Sequence, residues 1–286
     1  MTIFKDYRTA REFFKKAFPK EEIKSCKTLK KGTTNRLFLI NNHYVVRLKK
    51  PLEKELFNAE EEQKDLSFLF KNDLGPKPYA FSNNGNYIIQ YLANTELTKD
   101  DYPSIARALK KLHSLKLEST SFNPIERLDL YKMDEEYPPL LKELIPLIEH
   151  YTKENLVLCH NDLLLANILK TEDGIKFIDY EYMALNHPYF DLASFISENV
   201  LSKEEAKLFL ESYFEKPLTK DQIILLKQFI AFEDYLWGYW AKKNYFFTKK
   251  KVYKDIYEDK KAAQEIDEEY FAKHPEELKI LEGFNA

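Results

Sequence analysis

The apolar positions in the first third of the chain follow two different periods. Two short β-prone runs, 36–40 and 44–48, stand on either side of Asn41-Asn42, and asparagine tolerates the positive φ of a tight hairpin turn, so this pattern predicts a β-hairpin. Over 53–71 apolar residues recur every three or four positions, which predicts a helix. A further strand is predicted over 86–92, after a turn rich in Asn and Gly. This part is therefore predicted to be β-rich with one long helix.

Beyond residue 92 the helical period dominates. Helices are predicted over 102–114, 139–151, 203–214 and 221–247. A compact β-unit interrupts them, with strands over 156–159, 167–170 and 175–178 joined by an Asp-Gly turn. This change predicts two domains, an N-terminal lobe over 1–92 and a mainly helical C-terminal lobe over 93–286.

Composition narrows the class of protein. The 286 residues are 44% apolar and 32% charged with a net charge of −3, which is typical of a globular chain and argues against a nucleic-acid partner. The basic stretch 242–261 is interpreted as a solvated helix face. Cys26 and Cys159 stand alone, so no disulfide framework is expected and the predicted compartment is the cytoplasm. No apolar run reaches the ~18 residues of a membrane span, so no membrane partner is expected.

Glycine usage excludes two common nucleotide-binding motifs. The chain has only six glycines, and none stand in the G-x-G-x-x-G or G-x-x-x-x-G-K spacing of Rossmann and Walker-type phosphate loops. Nucleotide binding through either motif is therefore excluded.

Three polar side chains cluster within the predicted β-unit. Asp162 and Asn167 lie five residues apart in a loop, and Asp179 follows the strand that pairs with the one starting at Asn167. Asn167 and Asp179 are therefore predicted to converge, and oxygen ligands of this kind suit Mg²⁺. Asp162 is then available to accept a proton from a hydroxyl group. Turn capping by these residues is the plainer alternative.

The segment from His160 to Asn167 has the H-x-D-x-x-x-x-N pattern of a kinase catalytic loop, and Asp179 stands where a metal-binding Asp follows. Together with Ile178-Asp179-Tyr180-Glu181-Tyr182, it resembles the choline/ethanolamine kinase family, within the aminoglycoside phosphotransferase-like kinases. The resemblance implies an α+β, bilobal, protein-kinase-like fold that uses ATP and Mg²⁺. It assigns Asp162 as the catalytic residue and Asn167 and Asp179 as metal ligands. His160 and Asp191 take structural roles.

The same resemblance assigns an ATP-binding set in the N-terminal lobe. Arg47 stands where protein kinases have a phosphate-pairing lysine, and Glu62 shares the apolar face of the predicted helix, which makes it the best partner for Arg47. The remaining expected nucleotide contacts come from a phosphate-covering loop and from the residues after the last strand: Gly32, Thr33, Thr34, Asn35, Tyr91 and Leu92.

Two tryptophans three residues apart suggest the acceptor pocket. Aromatic faces attract a quaternary ammonium by cation–π interaction, although a W-x-x-W pair also suits core packing. The family has W-G-x-W here, a tyrosine seventeen residues later and a carboxylate nearby, so the resemblance implies a choline cage. Its predicted members are Trp237, Trp240, Tyr257, Glu198 and Glu181. Tyr182 and Tyr189 are equally consistent with lining the pocket or with packing.

The chain is therefore predicted to be a choline kinase that converts choline and ATP to phosphocholine and ADP. Ethanolamine, thiamine or an aminoglycoside remain alternative acceptors, because catalytic-loop residues do not separate them. A catalytically silent ligand-binding protein on the same fold is the alternative from another class.

Overall fold

A computed structural model describes residues 2–29, 35–49, 59–133 and 135–281 of the chain. The chain divides into two compact units. The first comprises Met1–Ser104 and Leu164–Met183, and the second comprises Ile105–Leu163 and Ala184–Ala286.

The first unit is built on an antiparallel sheet of five strands with the order β1-β2-β3-β5-β4. Its elements in the described ranges are α1 (Thr2–Ala17), β1 (Cys26–Leu29), β2 (Arg36–Ile40), β3 (Tyr44–Leu48), α2 (Ala59–Lys71), β4 (Pro78–Phe81), β5 (Tyr87–Gln90), β7 (Ile168–Thr171) and β8 (Gly174–Phe177). The predicted hairpin is confirmed as β2 and β3, and Asn41 and Asn42 both adopt a φ of 53° in its turn. The predicted helix is confirmed from Ala59, whereas its first residues lie outside the described ranges. Helix α1 was not predicted.

Side chains alternate between the two faces of the sheet along β3, and this alternation decides which of them face α1. Val46 and Leu48 are buried with Phe14 of α1 in one apolar cluster. Arg47 stands between Val46 and Leu48 in the strand, and alternate residues of a strand point to opposite faces. Arg47 is therefore turned toward the other face of the sheet, where Tyr87 is its neighbour on β5.

The hairpin β7–β8 belongs to the first unit, which differs from a division of the chain at residue 92. Backbone bonds tie it there: the Thr95 amide donates to the Lys170 carbonyl over 3.0 Å, and the Phe177 amide donates to the Leu74 carbonyl over 2.8 Å. The Tyr180 hydroxyl adds a 3.0 Å bond to the same Leu74 carbonyl. These bonds link distant parts of the sequence, so local periodicity could not reveal them.

The second unit is mainly helical. Its elements are α3 (Tyr102–Ser114, which begins at the end of the first unit), α4 (Pro124–Tyr131), α5 (Pro139–Tyr151), β6 (Val157–Cys159), β9 (Ala184–Asn186), α6 (Pro188–Glu198), α7 (Lys203–Phe214), α8 (Lys220–Thr248) and α9 (Lys251–Lys273). All four predicted helices are confirmed, and α8 is one residue longer at each end than predicted. The helices α4, α6 and α9 were not predicted. Strands β6 and β9 form an antiparallel pair.

Helices α8 and α9 pack closely at Gly238. A Cβ atom at this position would lie 2.6 Å from the Gln264 Nε2 atom and 3.4 Å from the Lys260 Cβ atom, so a larger residue here would require the Gln264 side chain to move. The basic stretch 242–261 is not one solvated helix face, because the helix breaks at Lys249, whose φ is 53°, and Lys260 is buried. Among the described residues, no helix combines the length and apolar character needed to cross a bilayer.

Candidate active site

Arg47 and Glu62 form a buried ion pair in the first unit. Arg47 Nη2 lies 2.5 Å from Glu62 Oε2, and the two side chains are 1% and 6% exposed. The guanidinium also stacks over the Tyr87 ring at 4.0 Å from its centroid and donates to the Gly85 carbonyl over 3.3 Å. The pairing expected from the helical period is therefore present, whereas its role toward a nucleotide stays a prediction.

Asp179 lies next to this pair. Its Oδ1 atom is 3.5 Å from Arg47 Nη1, and its φ of 63° is in the left-handed region, a costly conformation that concentrates at functional sites. Burial, together with the nearby Glu181 carboxylate, raises the pKa of Asp179 to about 6 against the opposing effect of Arg47. A bound dication would lower this pKa again.

Asn167 is placed beside Asp179 by the β7–β8 ladder. The Ile178 amide donates to the Asn167 carbonyl over 2.9 Å, so Asn167 stands opposite the residue that precedes Asp179. Asn167 is 8% exposed. An amide oxygen and a carboxylate held at neighbouring positions are hard oxygen donors, and this donor chemistry fits Mg²⁺.

Glu181 makes its contacts within the first unit. Its Oε2 atom accepts from Lys49 Nζ over 2.7 Å and lies 3.5 Å from Asn35 Nδ2. Although burial opposes ionisation, the Lys49 and Arg47 cations hold the pKa of Glu181 below its usual value. Glu181 therefore lies with Asp179 and Arg47, whereas the family resemblance implies a place for Glu181 in the choline cage. Lys49 was missed, because an exposed-looking lysine at a strand end has no distinctive signal.

The other predicted nucleotide contacts are described only in part. Gly32, Thr33 and Thr34 lie outside the described residues. Tyr91 and Leu92 are half-buried, and the Tyr91 amide already donates to the His43 carbonyl over 2.7 Å. The Tyr91 amide is thus engaged with β3's neighbouring turn, and the assignment of both residues to nucleotide binding stays a prediction.

The first residues of the predicted catalytic segment, from His160 to Leu163, lie in the second unit, and Asp191 holds their backbone. The amides of His160 and Asn161 donate to the two oxygens of this buried carboxylate, each over 2.7 Å. Asn161 has a φ of 61°, and its side-chain oxygen accepts from Asn186 Nδ2 over 2.8 Å. These bonds fix the backbone that leads into Asp162, which is half-buried.

Two residues that the sequence did not single out extend this network. His113 Nε2 lies 3.0 Å from the Asp191 carboxylate. Because a carboxylate only accepts, Nε2 carries the hydrogen, and His113 Nδ1 accepts from the Tyr213 hydroxyl over 2.6 Å. Both residues sit on helices far from the catalytic segment in sequence, so no local pattern marked them.

The predicted cage residues on α8 make aromatic contacts with each other. The rings of Trp237 and Trp240 are 6.2 Å apart in an edge-to-face arrangement. The ring that touches Trp240 from α9 is Tyr253, at 5.4 Å, while Tyr257 is half-buried and lies 5.5 Å from Lys242 Nζ. Tyr257, the tyrosine given by the count of seventeen residues, thus lies one helical turn beyond Tyr253, and its place in the cage stays a prediction.

Glu198 and Tyr189 have partners of different kinds. Glu198 forms an ion pair with Lys260, which also binds Asp234 over 2.7 Å. Tyr189 is 2% exposed and packs against the rings of Phe214 and Phe229 at 5.8 and 6.2 Å. The structure therefore favours core packing for Tyr189, and Glu198 is a carboxylate that already has a cation.

A small antiparallel sheet unit, a larger helical unit and a segment with the catalytic-loop pattern of kinases are the features of the protein-kinase-like fold. The sequence profile described as choline/ethanolamine kinase matches residues 26–265. The chain therefore belongs to the choline/ethanolamine kinase family.

Curated relatives match different lengths of the chain. A protein LicA homolog from Metamycoplasma hominis is 35% identical over 126 residues, which is 41% of this chain and 50% of the relative. Another from Mycoplasma capricolum is 26% identical over 221 residues, 72% of this chain and 86% of the relative. Ethanolamine kinase 2 from Rattus norvegicus is 26% identical over 60% of this chain and 52% of its own. The chain thus spans about half the length of two of these relatives.

Solved structures share the fold. A choline/ethanolamine kinase family protein from Mesorhizobium loti superposes with a TM-score of 0.75 and 17% identity over 97% of this chain and 99% of its own. Choline kinase LicA from Streptococcus pneumoniae gives 0.71 and 22% over 90% and 97%. ADP-bound aminoglycoside phosphotransferase APH(2'')-Ib gives 0.59 and 18% over 88% and 96%.

Proposed function

We propose that the protein transfers the γ-phosphoryl group of ATP to the hydroxyl group of choline, giving phosphocholine and ADP. The observation that carries this proposal is the aromatic cluster of Trp237, Trp240 and Tyr253 in the same unit as the segment held by Asp191. A cluster of aromatic faces stabilises a trimethylammonium group by about 0.5–2 kcal/mol per favourable contact.

The roles of the phosphate-side residues follow from their contacts. Arg47, oriented by Glu62 and Tyr87, binds phosphate oxygens of ATP, since a guanidinium offers a planar pair of donors. Asn167 and Asp179 would hold Mg²⁺, and we add Glu181 to this side of the site. Mg²⁺ supplies neutralisation of the charge that develops on the transferred phosphoryl group.

Asp162 is the residue that accepts the proton of the choline hydroxyl. Asp191 positions it by fixing the amides of His160 and Asn161, so that the carboxylate needs little reorganisation during the reaction. Positioning of this kind supplies much of the rate in phosphoryl transfer. The mechanism needs one carboxylate that accepts a proton and a set of fixed cations around the phosphates.

Ethanolamine is the second candidate acceptor, because an ethanolamine kinase is among the curated relatives. The aromatic cluster favours choline over it, since a primary ammonium gains less from aromatic faces than from hydrogen-bond acceptors. An aminoglycoside pocket would require many carboxylates and fewer indole rings. Thiamine remains an alternative that these contacts do not address.

ADP release by the purified protein tests the proposal. The assay supplies ATP and Mg²⁺ with choline, ethanolamine, thiamine or kanamycin at equal concentrations. We expect strong turnover with choline and little with the others. Turnover confined to another acceptor would keep the kinase reaction and overturn choline as the substrate, while ADP release from none of them would support the silent ligand-binding alternative.

A further inference from the structure

Lys260 is a buried cation that joins three helices of the second unit. Only 7% of the residue is exposed, and its ammonium group lies 2.7 Å from Asp234 Oδ1 on α8. The same ammonium group bonds to Glu198 Oε1 at the end of α6. Burying an ammonium group is costly unless it is paired and hydrogen-bonded, and these two carboxylates meet that requirement.

The charged cluster of Lys260, Glu198 and Asp234 adjoins the aromatic one. A Cβ atom added to Gly238, the neighbour of Trp237, would lie 3.4 Å from the Lys260 Cβ atom. On α9, Tyr253 precedes Lys260 by two helical turns, which places both on one face of the helix, and Tyr253 contacts Trp240. Lys260 thus pairs with Glu198, the predicted anionic wall, and lies on the same face of α9 as Tyr253.

The charge of this cluster still favours a cation. Burial raises the pKa of Glu198, and the Lys260 cation opposes this rise. With Glu198 and Asp234 both ionised, the cluster carries two negative charges against the single positive charge of Lys260, which leaves a net charge of −1. Two further carboxyl groups lie on the same helices. Burial, and then the charge of Glu198, raises the pKa of the fully buried Glu233 well above its usual value, and burial raises the pKa of Asp267 to about 8. Both shifts in pKa favour the uncharged form of the carboxyl group, so neither group is counted in the net charge of the Lys260, Glu198 and Asp234 cluster.

The number of hydrogen bonds that the cluster can accept is a separate property from its net charge. Glu198 Oε1 and Asp234 Oδ1 already accept from Lys260, so fewer carboxylate oxygens remain for a ligand. A primary ammonium brings three N–H donors that need acceptors when it leaves water, whereas a trimethylammonium group brings none. We infer that Lys260, by occupying these oxygens while leaving the net charge negative, makes the acceptor pocket select a quaternary over a primary ammonium group.

This inference rests on the proposed choline kinase function, and kinetics with two acceptors test it. The variants are Lys260→Met and Lys260→Met/Asp234→Asn. The double variant keeps the net charge of −1 while freeing Glu198, so it separates hydrogen bonding from charge. We expect kcat/KM for ethanolamine relative to choline to rise about tenfold or more in both, as one regained hydrogen bond to a charged group predicts, with the KM for ATP unchanged.

Two control variants and a folding measurement complete the experiment. Lys260→Arg retains a cation at the site and should keep the choline preference. Lys251→Met removes an exposed lysine of the same helix, paired with Asp255, and should leave both acceptors as in the wild type. Circular dichroism checks that each variant is folded, and the charge-balanced double variant carries the test if Lys260→Met is not.

The failures of the two ideas are distinguishable. If the wild type phosphorylates choline and the folded variants keep its acceptor ratio, the role of Lys260 is wrong and the kinase proposal stands. If the wild type already prefers ethanolamine, the inference is overturned together with the choice of choline. If the wild type phosphorylates neither acceptor, the proposed function fails, and the inference falls with it.

Discussion

His113 and Asp191 are joined by a buried hydrogen bond of 3.0 Å although 78 residues separate them in the sequence. Asp191 in turn holds the amides of His160 and Asn161 at 2.7 Å each. The bond therefore connects helix α3 to the backbone that carries Asp162. We therefore expect His113 to act as a positioning residue, because Asp191 links it to the predicted catalytic segment.

Replacing His113 should lower turnover more than it lowers acceptor binding. In His113→Phe the ring remains but the bond to Asp191 is lost, and a displaced catalytic group costs up to about a hundredfold in rate. We expect kcat to fall at least about tenfold with little change in KM. His113→Gln, whose amide can still donate to Asp191, should recover part of the loss. Unchanged kcat in His113→Phe would contradict the positioning role.

Asp162→Asn removes the proposed proton acceptor while preserving the shape of the side chain. General acid–base catalysis contributes about 10²–10⁴-fold, so kcat should fall at least about a hundredfold. Asp173→Asn changes an exposed carboxylate in the β7–β8 turn and serves as the matched control. Single-turnover phosphorylation of choline is the measurement, and a rate like that of the control would show that Asp162 is not the base.

Glu62→Ala should be strongly destabilising, because it leaves the Arg47 guanidinium buried with one partner fewer. Removing one member of a buried ion pair costs about 3–5 kcal/mol. Glu60→Ala alters an exposed residue of the same helix and should change the free energy of unfolding by less than about 0.5 kcal/mol. Urea unfolding followed by circular dichroism compares the two. Similar effects from both variants would mean that the pair adds little to stability.

Asp65 makes stability depend on pH. Burial, then the Glu61 carboxylate, raises the pKa of Asp65 from 3.8 to about 7 in the folded protein. Between these values the folded state binds the proton more tightly than the unfolded state, so the contribution of Asp65 to stability is full below pH 4 and is lost as the pH rises toward 7.

Asp65→Asn should therefore be more stable than the wild type at pH 8, by about 2–4 kcal/mol given ~1.4 kcal/mol per pKa unit. The difference should nearly vanish at pH 4, where the carboxyl group is protonated in the folded protein. Urea unfolding of both proteins at the two pH values is the measurement. A difference in stability that stays constant with pH would show that Asp65 titrates normally.

The aromatic cluster predicts a split between the two Michaelis constants. Trp240→Ala and Tyr253→Ala should each raise the KM for choline about tenfold, as one cation–π contact of up to ~2 kcal/mol implies, and leave the KM for ATP nearly unchanged. Phe247→Ala, at a position 68% exposed on the same helix as Trp240, is the control.

Steady-state kinetics with Tyr257→Ala added to this series decides which tyrosine lines the pocket. A larger effect at Tyr257 than at Tyr253 would support the assignment of Tyr257 to the cage. Equal rises in both constants, or loss of the folded state, would mark the tryptophans as core residues.

Sequence periodicity predicts the elements whose conformation is set by residues close to them in the sequence. The β2–β3 hairpin follows from Asn41 and Asn42, and Glu62 was chosen over its neighbours because it shares a face with Leu66. The helical period alone identifies Glu62 as the partner of Arg47, because the apolar residues of the helix indicate which of its faces is buried.

Residues whose environment depends on distant segments were missed. Lys260 is buried while the adjacent Lys261 is exposed, and its two carboxylates lie 26 and 62 residues earlier in the chain. Nothing in a lysine-rich stretch indicates such partners. His113 likewise has its partners on α6 and α7, and the contacts of Glu181 depend on the strands of the first unit.

The pairing of α8 with α9 bears on how acceptor preference can diverge among relatives. Trp237, Trp240, Tyr253 and Lys260 all lie in one continuous hairpin of chain, whereas Arg47, Glu62 and Asp179 come from separate segments. Under the proposed function, a preference for a new acceptor can therefore arise by changes within a single inherited stretch, while the residues proposed to bind phosphate stay unaltered. The α8–α9 hairpin is therefore the segment to exchange between relatives in order to test whether it transfers the preference for an acceptor.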